Sequence, residues 1–404
     1  MVTAQNKQTN NRMRQSWRWF GPQDPVALDH VRQAGAHEIV SALHQFKPGQ
    51  VWTKEAVADR KAMIEQDNGH RTPLHWTIVE SIPIPDDVRR LGKGAKQSIS
   101  GWIESMQAVA AHGIKTICYN FMPVVDWCRT DIDWPLPTGA TAMRFDADRF
   151  AAFDLFILER PHAEADYDAA RIARAKDLYK AMTPADIETL IVNIASALPG
   201  STTDPLSIPA FRARLETYRD IDAVRLRQHL VEFLEAVTPV AENLGVTLTL
   251  HPDDPPRPLF GLPRIASTAQ DYQAIFDAVK SPANGMCYCT GSLGVRADND
   301  LVAMVQQFSD RIHFVHLRAT LREPDGSFFE SDHLDGDVDM VGVIKALMAV
   351  NATRGADAKI PFRPDHGHRM LDDLNKSVTP GYAAIGRLKG LGELRGIMVA
   401  VEQA

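Results

Sequence analysis

The chain has few cysteines, and none of its apolar runs is long. Four cysteines in 404 residues do not suggest a disulfide framework, so a reducing cytoplasm is the expected location. No apolar run approaches the roughly 20 residues that span a bilayer. The polar amino terminus lacks the apolar core of a secretory signal. These features argue against a secreted disulfide scaffold and against an integral membrane protein.

An excess of positive charge is also lacking. The 51 acidic residues outnumber the 44 basic ones, which gives a formal net charge of −7. A protein that binds a nucleic-acid backbone is expected to present a basic face. The charge balance therefore disfavours a nucleic-acid partner and a nuclease-type metal barrel. The hydrophobic fraction of 45% is ordinary for a globular protein with a sizeable core.

Eight short apolar runs alternate with helical patterns along the chain. Strands are predicted at 17–20, 37–43, 73–80, 114–125, 246–250, 286–289, 312–317 and 360–364. Between the strands lie helical patterns, and the clearest has apolar residues at helical spacing over 226–244. Repeated strand-helix units are typical of a parallel sheet. The predicted fold is therefore α/β, a (β/α)₈ TIM barrel.

The alternation stops between about residues 127 and 220. The stretch DWPLPTGATAMRFD (133–146) is interpreted as a loop, and helices are predicted near 147–160, 164–181 and 184–197. We interpret this segment as a helical insertion after strand four that covers the barrel mouth; a separate helical domain or an oligomer contact is the alternative. A second long polar loop is predicted over 318–337. Residues 1–12 are expected to form a flexible leader, and 13–404 a single barrel domain.

Four potential metal ligands follow consecutive apolar runs. His251 closes VTLTLH, Cys289 closes MCYC, His316 closes IHFVH, and Asp365 follows IPFRP. Each has an ordinary structural alternative, as a buried imidazole, a small apolar cysteine or a turn aspartate. In a parallel barrel, however, the carboxyl ends of the strands converge on one mouth. Because the four residues recur on strands five to eight, we expect them to surround one cation.

The residue types restrict which cation this site prefers. Two imidazoles, one thiolate and one carboxylate suit Mn²⁺, Fe²⁺, Co²⁺ or Zn²⁺ better than Mg²⁺ or Ca²⁺. A tetrahedral arrangement would make a closed structural zinc site, whereas an octahedral cation would keep two positions for a substrate such as a polyhydroxy acid. Cys287 lies two residues before Cys289 on the same strand face. Cys289 is preferred because it lies at the strand end.

Five further residues are candidates for contact with a substrate. His366 directly follows the proposed ligand, and an imidazole suits proton transfer near neutral pH. Tyr382, in the last loop, could bring a phenol to the same mouth, although a surface tyrosine is the alternative. Arg318 could pair with a substrate carboxylate, with a solvated loop arginine as the alternative. Glu80 and Asn120, at the ends of the third and fourth strands, are predicted to contact substrate hydroxyls.

Several motifs resemble those of the D-mannonate dehydratase family. The matching stretches are RWFGPQDPV, YNFMPVVDW, TLHPDDPP, CTGSLG, FVHLR, HLDGDVDM, PFRPDHGH and the later GY. They are spread over nearly the whole chain. The resemblance implies a (β/α)₈ fold, one Mn²⁺ or Fe²⁺ per subunit, and dehydration of D-mannonate to 2-dehydro-3-deoxy-D-gluconate in hexuronate catabolism. It also implies metal ligation by His251, Cys289, His316 and Asp365, and an acid/base pair of His366 and Tyr382.

This chemistry assigns a task to each group. Loss of water from a 2,3-dihydroxy acid requires removal of the C2 proton and protonation of the departing 3-hydroxyl, while a Lewis acid stabilises the developing enediolate. Tyr382 or a metal-linked group is expected to take the proton and His366 to give one; the opposite assignment stays open. A sugar isomerase or epimerase on the same barrel, and a non-catalytic sugar-acid binding protein with a structural zinc, are the alternative functions. A homo-oligomer also stays open.

Overall fold

The computed structural model describes residues 11–66, 69, 71–195 and 206–404. Residues 1–10 of the predicted leader lie outside this range. The strands within it are β1 (Arg14–Arg18), β2 (Glu38–Ser41), β3 (His75–Glu80), β4 (Thr116–Tyr119), β5 (Asp131–Pro135), β6 (Thr141–Phe145), β7 (Thr247–Leu250), β8 (Asn284–Cys289), β9 (Ile312–Leu317), β10 (Ala319–Arg322), β11 (Phe328–Ser331) and β12 (Pro361–Pro364).

Eight of these strands close into a parallel barrel. The order around the barrel is β1-β12-β9-β8-β7-β4-β3-β2, and each neighbouring pair is parallel. The barrel strands are thus the first four and then β7, β8, β9 and β12. The predicted α/β fold class and TIM barrel are confirmed.

Helices surround the barrel and fill the segment after β4. Those in the described residues are α1 (Leu28–Ala34), α2 (Lys54–Glu65), α3 (Asp86–Arg89), α4 (Ala95–Ala111), α5 (Ala147–Ala152), α6 (Ala169–Ala181), α7 (Pro184–Ala195), α8 (Ile208–Glu216), α9 (Ala223–Leu244), α10 (Ala269–Ala278), α11 (Thr290–Gly294), α12 (Leu301–Gln307), α13 (Met340–Ala352) and α14 (Ala384–Gln403). The CTGSLG stretch contains α11. In the part of the chain that the structure describes, no helix is both long and apolar enough to cross a membrane.

Helix α9 shows why these segments fold locally as they do. The side chain of Asp222 caps its first turn by accepting a hydrogen bond from the Arg225 amide, and Gly245 ends it with a φ of 63°. Its apolar face buries Leu230 and Phe233 completely against the barrel. Burial of such side chains contributes about 1.5–3 kcal/mol each, so packing rather than helix propensity fixes α9 in place.

The inside of the barrel is packed rather than hollow. One cluster of buried side chains comes from five different barrel strands: Val40, Ile78, Cys118, Cys287 and Phe314. We call this cluster the interior layer. Layers of inward-facing side chains are the usual filling of such barrels. The interior layer supports the side chains at the carboxyl ends of the same strands.

A second sheet contradicts two of the loop predictions. Strands β5 and β6 form a hairpin in the segment after β4, and β10 and β11 follow β9; the order is β10-β11-β6-β5, with antiparallel pairs. The loops predicted over 133–146 and 318–337 are therefore wrong. The sheet pairs segments that are distant in sequence, as the pairing of Phe145 with Phe328 illustrates. Local patterns do not reveal such pairing.

The segment after β4 packs on the loops at the carboxyl end of the barrel. The predicted helix near 147–160 consists of α5 and a π-helical turn, Phe153–Ile157, and the helix over 164–181 is largely α6. The last two residues of the predicted helix 184–197 lie outside the described residues. Aromatic side chains of this segment cluster with Phe260, from the loop after β7, and Phe328 of β11. Part of the insertion thus shares a small core with the mouth loops.

Candidate active site

The structure brings the four predicted ligands together at the carboxyl ends of β7, β8, β9 and β12. Ligand atoms of His251, Cys289 and His316 all lie within 4.8 Å of one another. The Oδ2 atom of Asp365 lies 3.8 Å from His316 Nδ1 and 3.9 Å from Cys289 Sγ. His251 is half-buried and the other three are fully buried. Three of the four side chains thus meet at one point, and Asp365 lies beside two of them, His316 and Cys289.

Neighbouring groups contact the side chains of this cluster. The carbonyl oxygen of Pro252 lies 2.7 Å from His251 Nδ1, so a proton on Nδ1 leaves Nε2 free to ligate. Ser292 donates a 3.3 Å hydrogen bond to Cys289 Sγ. His316 Nε2 is buried and has no hydrogen-bond partner among the described residues. Glu80 Oε2 lies 3.5 Å from this nitrogen. A buried nitrogen without a hydrogen bond is costly, and a divalent transition-metal ion would satisfy it.

Two buried arginines hold Asp365 in its ionised form. Arg363 pairs with its Oδ1 atom, and Arg318 Nη1 donates a 3.1 Å hydrogen bond to its Oδ2 atom. Burial alone would raise the pKa of Asp365, but Arg363, His366, His316 and Arg318 hold that pKa well below its usual range. The carboxylate is therefore charged at neutral pH, as a metal ligand must be.

His366 and Tyr382 lie side by side next to this cluster. Their rings meet edge to face, with 5.3 Å between the centroids. Burial lowers the pKa of His366 and raises the pKa of Tyr382 to about 12. Both groups are uncharged at neutral pH, so the phenol can donate a proton and the imidazole can accept one. Gly381 adopts a φ of +77°, and a Cβ atom there would lie 2.9 Å from the His366 ring.

Sequence analysis did not identify Glu330, which contacts His366 from the second sheet. Its Oε1 atom lies 3.1 Å from His366 Nδ1, while Arg318 Nη1 lies 2.8 Å from the same nitrogen. The carboxylate can only accept and the guanidinium can only donate, so protonation of Nδ1 selects between them. Burial would raise the pKa of Glu330, but Arg318, His366 and Arg129 lower it to about 2. The available signal was Asp325-Gly326, a dipeptide typical of the hairpin that contains Glu330.

Arg129 and Asp254 complete this buried charge network, and neither was predicted as a site residue. Arg129 donates to Asp254 Oδ1 at 2.7 Å and to Glu330 Oε1 at 2.8 Å. Arg129 precedes β5, Asp254 follows β7, and Glu330 belongs to β11. The three side chains tie together the loops after the fourth, fifth and seventh barrel strands. Removal of one charge would leave its partners buried and unpaired, which is strongly destabilising.

Arg318 lies at the mouth as predicted, but it is buried and hydrogen-bonded to protein carboxylates. Its Nη2 atom donates a 2.6 Å hydrogen bond to Asp254, and its Nε atom lies 3.4 Å from Glu330. The Arg318 side chain packs directly on Gly291 of α11. A Cβ atom on Gly291 would lie 1.9 Å from Arg318 Nε, so this contact requires glycine at position 291. The solvated loop arginine considered from the sequence is excluded. Arg318 thus contacts three carboxylates. Its Nη1 atom contacts both Asp365 and His366, and the residue also lines the cavity.

Glu80 and Asn120 also face the cavity, each held by protein partners. Glu80 ends β3 and pairs with Arg18 at 2.8 Å and Arg363 at 3.0 Å. Burial would raise the pKa of Glu80, but these two arginines hold it well below its usual range. Asn120 follows β4, where its Oδ1 atom accepts a 3.1 Å hydrogen bond from Arg89.

A narrow cavity of about 50 Å³ connects these groups. Its walls carry Arg18, Glu80, Asn120, Asp126, Trp127, His251, Asp254, Arg318, Arg363, Asp365, His366 and Tyr382. Charges of both signs beside a few apolar side chains suit a polar, anionic molecule with several hydroxyl groups.

The chain matches a family model and named relatives over nearly its whole length. The family model described as D-mannonate dehydratase (UxuA) matches residues 13–404. A mannonate dehydratase of Brucella canis is 63% identical over 391 residues, which cover 96% of this chain and 98% of that protein. A mannonate dehydratase of Chromohalobacter salexigens is 52% identical over 394 residues, with 97% and 99% coverage.

Solved structures give the same result. The crystal structure of mannonate dehydratase from Streptococcus suis serotype 2 has a TM-score of 0.75 and 30% identity, and the match covers 97% of this chain and 94% of that one. A xylose isomerase domain protein from Alicyclobacillus acidocaldarius, 13% identical with a TM-score of 0.53 and coverage of 97% and 100%, shares the fold alone. The resemblance found in the sequence is confirmed. The chain belongs to the D-mannonate dehydratase family.

Proposed function

We propose that the protein is a metal-dependent D-mannonate dehydratase, which converts D-mannonate to 2-dehydro-3-deoxy-D-gluconate and water in hexuronate catabolism. The observation that carries this proposal is the proximity, at the barrel mouth, of a mixed nitrogen, sulfur and oxygen donor set to an uncharged imidazole and an uncharged phenol. An isomerase would need no group to protonate a departing hydroxyl. A binding protein would need neither proton-transfer group.

His251, Cys289, His316 and Asp365 are the residues that would hold the cation, one per subunit. Mn²⁺ and Fe²⁺ suit this donor set, because both accept imidazole and carboxylate ligands and tolerate more than four ligands. When bound, such an ion supplies Lewis-acid stabilisation of the negative charge that develops at the substrate carboxylate. The thiolate of Cys289 weighs against Mg²⁺, which prefers oxygen ligands.

The chain's own residues move the two protons. An uncharged imidazole accepts a proton readily and a protonated phenol donates one, so we assign removal of the C2 proton to His366 and protonation of the leaving 3-hydroxyl to Tyr382. This assignment is the reverse of the one expected from the sequence. Glu330 orients the imidazole through Nδ1 and stabilises it when it becomes positively charged. It thereby acts as a positioning residue rather than as a group that touches substrate.

The cavity walls orient the substrate and exclude water. Arg318 and Arg363 provide positive charge for a carboxylate, while Asn120 and Glu80 provide hydrogen-bond partners for hydroxyl groups. Burial strengthens these interactions, because charges interact more strongly away from bulk water. All four cysteines are free and buried, which is consistent with a reducing cytoplasm.

The decisive experiment is anaerobic incubation of the metal-free protein with D-mannonate and one divalent metal at a time. We expect Mn²⁺ and Fe²⁺ to give a 2-keto acid that is lighter than the substrate by one water, measured by mass spectrometry and a keto-acid assay. A product of unchanged mass would indicate an isomerase or epimerase. Metal-dependent thermal stabilisation without any turnover would indicate a binding protein.

A further inference from the structure

Cys118 and Cys287 lie inside the barrel, directly beneath the proposed catalytic site, and the dehydration does not use them. Both belong to the interior layer and are at most 1% exposed. Cys287 faces inward from β8 two residues before Cys289, and Cys118 faces inward from β4. The C-x-C motif therefore places the sulfur of Cys287 at a lower level, the interior layer, and the sulfur of Cys289 at an upper level, the carboxyl end of β8.

His316 lies between these two levels. One of its nitrogens and the sulfurs of Cys118 and Cys287 all lie within 4.8 Å of one another, as do ligand atoms of His316, His251 and Cys289. His316 is fully buried, and its Nε2 atom lacks a hydrogen-bond partner in the described part of the chain. The nearest carboxylate oxygen is Glu80 Oε2, at 3.5 Å. Two sulfurs and one nitrogen of His316 thus lie close enough together to share an ion.

The strand geometry favours a bridging cation over a disulfide. Strands β4 and β8 are separated by β7, so their Cα atoms are roughly 9 Å apart at about 4.8 Å per strand. A disulfide requires a Cα separation below about 7 Å. Two sulfurs bound to one zinc at about 2.3 Å each are about 3.8 Å apart, which small side-chain movements can reach.

We propose that Cys118, Cys287 and His316 form a second cation site that takes a soft, thiophilic ion such as Zn²⁺ or Cd²⁺. Two thiolates and one imidazole suit these ions and not an oxygen-preferring ion. Binding releases the two thiol protons, and Glu80 provides an oxygen for the fourth position. Because His316 is shared by both groups, we expect an ion at the lower site to compete with one at the catalytic site for its imidazole. This last consequence rests on the proposed function; the ion site itself does not.

The test uses Cd²⁺ and the metal-free, full-length protein. X-ray absorption at the cadmium edge counts sulfur ligands, and we expect two sulfurs per bound ion at one equivalent. A single sulfur would place the ion with Cys289 in the upper site and would overturn the proposal. This measurement needs no variant and no turnover, so it is independent of whether D-mannonate is the substrate.

Single variants identify which sulfurs bind. Outer-shell partners alone are worth roughly 10- to 100-fold in metal affinity, so Cys118→Ala and Cys287→Ala should each weaken Cd²⁺ binding by more than about 100-fold. Cys128→Ala is the matched control, since Cys128 is a buried cysteine outside the barrel, and its Cd²⁺ affinity should equal that of the wild type. Unchanged affinity in both barrel variants would overturn the proposal. Circular dichroism of each variant separates loss of a ligand from loss of the fold.

Inhibition provides a further readout. Substoichiometric Cd²⁺ should inhibit the Mn²⁺-loaded wild type, whereas Cys287→Ala should need at least about tenfold more Cd²⁺ for the same inhibition. Equal sensitivity of the two proteins would show that Cd²⁺ acts at the upper site. It would contradict the proposed competition between the two sites for His316. If D-mannonate is not consumed at all, the proposed function fails while the sulfur count still decides the site.

Discussion

The carboxylate of Glu330 lies 3.1 Å from the imidazole of His366, although one residue belongs to the second sheet and the other follows the last barrel strand. The carboxylate also accepts a 2.8 Å hydrogen bond from Arg129, which precedes β5. The position of the proposed base therefore depends on two chain segments that are not part of the barrel.

Glu330→Gln should lower kcat by about 10- to 100-fold with little change in KM, because the amide keeps the size but loses the charge that stabilises a protonated His366. Steady-state kinetics with Mn²⁺ measures the effect. Glu323→Gln is the matched control, since Glu323 belongs to the same hairpin but pairs with the partly exposed Arg144. Equal kinetics of the two variants would remove Glu330 from the mechanism.

His366→Asn and Tyr382→Phe should each lower turnover by about 10²- to 10⁴-fold while bound metal stays stoichiometric. Exchange of the C2 proton with D₂O separates their roles. Tyr382→Phe should still exchange this proton, because the base is intact, whereas His366→Asn should not. The opposite pattern would restore the assignment expected from the sequence.

Chelation should abolish activity, and Mn²⁺ or Fe²⁺ should restore it, because a thiolate and two imidazoles bind these ions well. Mg²⁺ should restore at least about tenfold less, since it prefers oxygen ligands. Metal content is measured by elemental analysis alongside activity. Full reactivation by Mg²⁺ would contradict the proposed donor set.

The stability of the fold should fall as the pH is lowered, in part through His333. Burial is the main cause that lowers the pKa of His333 to about 4, and His368 adds to it. Between about pH 6.5 and pH 4 the unfolded chain binds a proton that the folded protein does not, so stability decreases over this range. Over the whole of this pH range, the difference between the unfolded and folded pKa values of His333 lowers the free energy of unfolding by about 3 kcal/mol.

Urea unfolding between pH 7 and pH 5 measures this contribution, of which about 2 kcal/mol falls in that interval. His333→Gln should reduce the pH dependence by that amount, because glutamine does not titrate. A variant with the same pH dependence as the wild type would show that His333 is not responsible.

Phe233→Ala should destabilise the protein by about 3–5 kcal/mol, because it leaves a cavity in the core. Phe233 is fully buried and packs edge to face on Trp102, with 5.2 Å between the ring centroids. Val224→Ala on the same helix is the control, since Val224 is 71% exposed and should change stability by less than about 0.5 kcal/mol. Chemical unfolding compares the two variants.

The barrel and its four meeting ligands could be predicted because each signal is local. A buried apolar run followed by His251, Cys289, His316 or Asp365 reveals both the strand and the end of the strand. Parallel closure then brings these ends together without any further information.

The second sheet and its residues could not be predicted in the same way. Strand β5 is short, partly exposed and ends at Pro135, so its alternation is weak. Phe145 pairs with Phe328, and no local pattern connects these two positions. Glu330 and Arg129 reach the site only through this pairing, so their roles could not be predicted without it.

The mixed origin of the second sheet has a consequence for engineering. It is made of two hairpins, one from the segment after β4 and one from the segment after β9, which join only where β6 pairs with β11. A chimera that grafts one of these two segments from another barrel would therefore leave a backbone edge unpaired at the mouth. The two segments must be exchanged as a unit, and substrate range is expected to change with both of them or not at all.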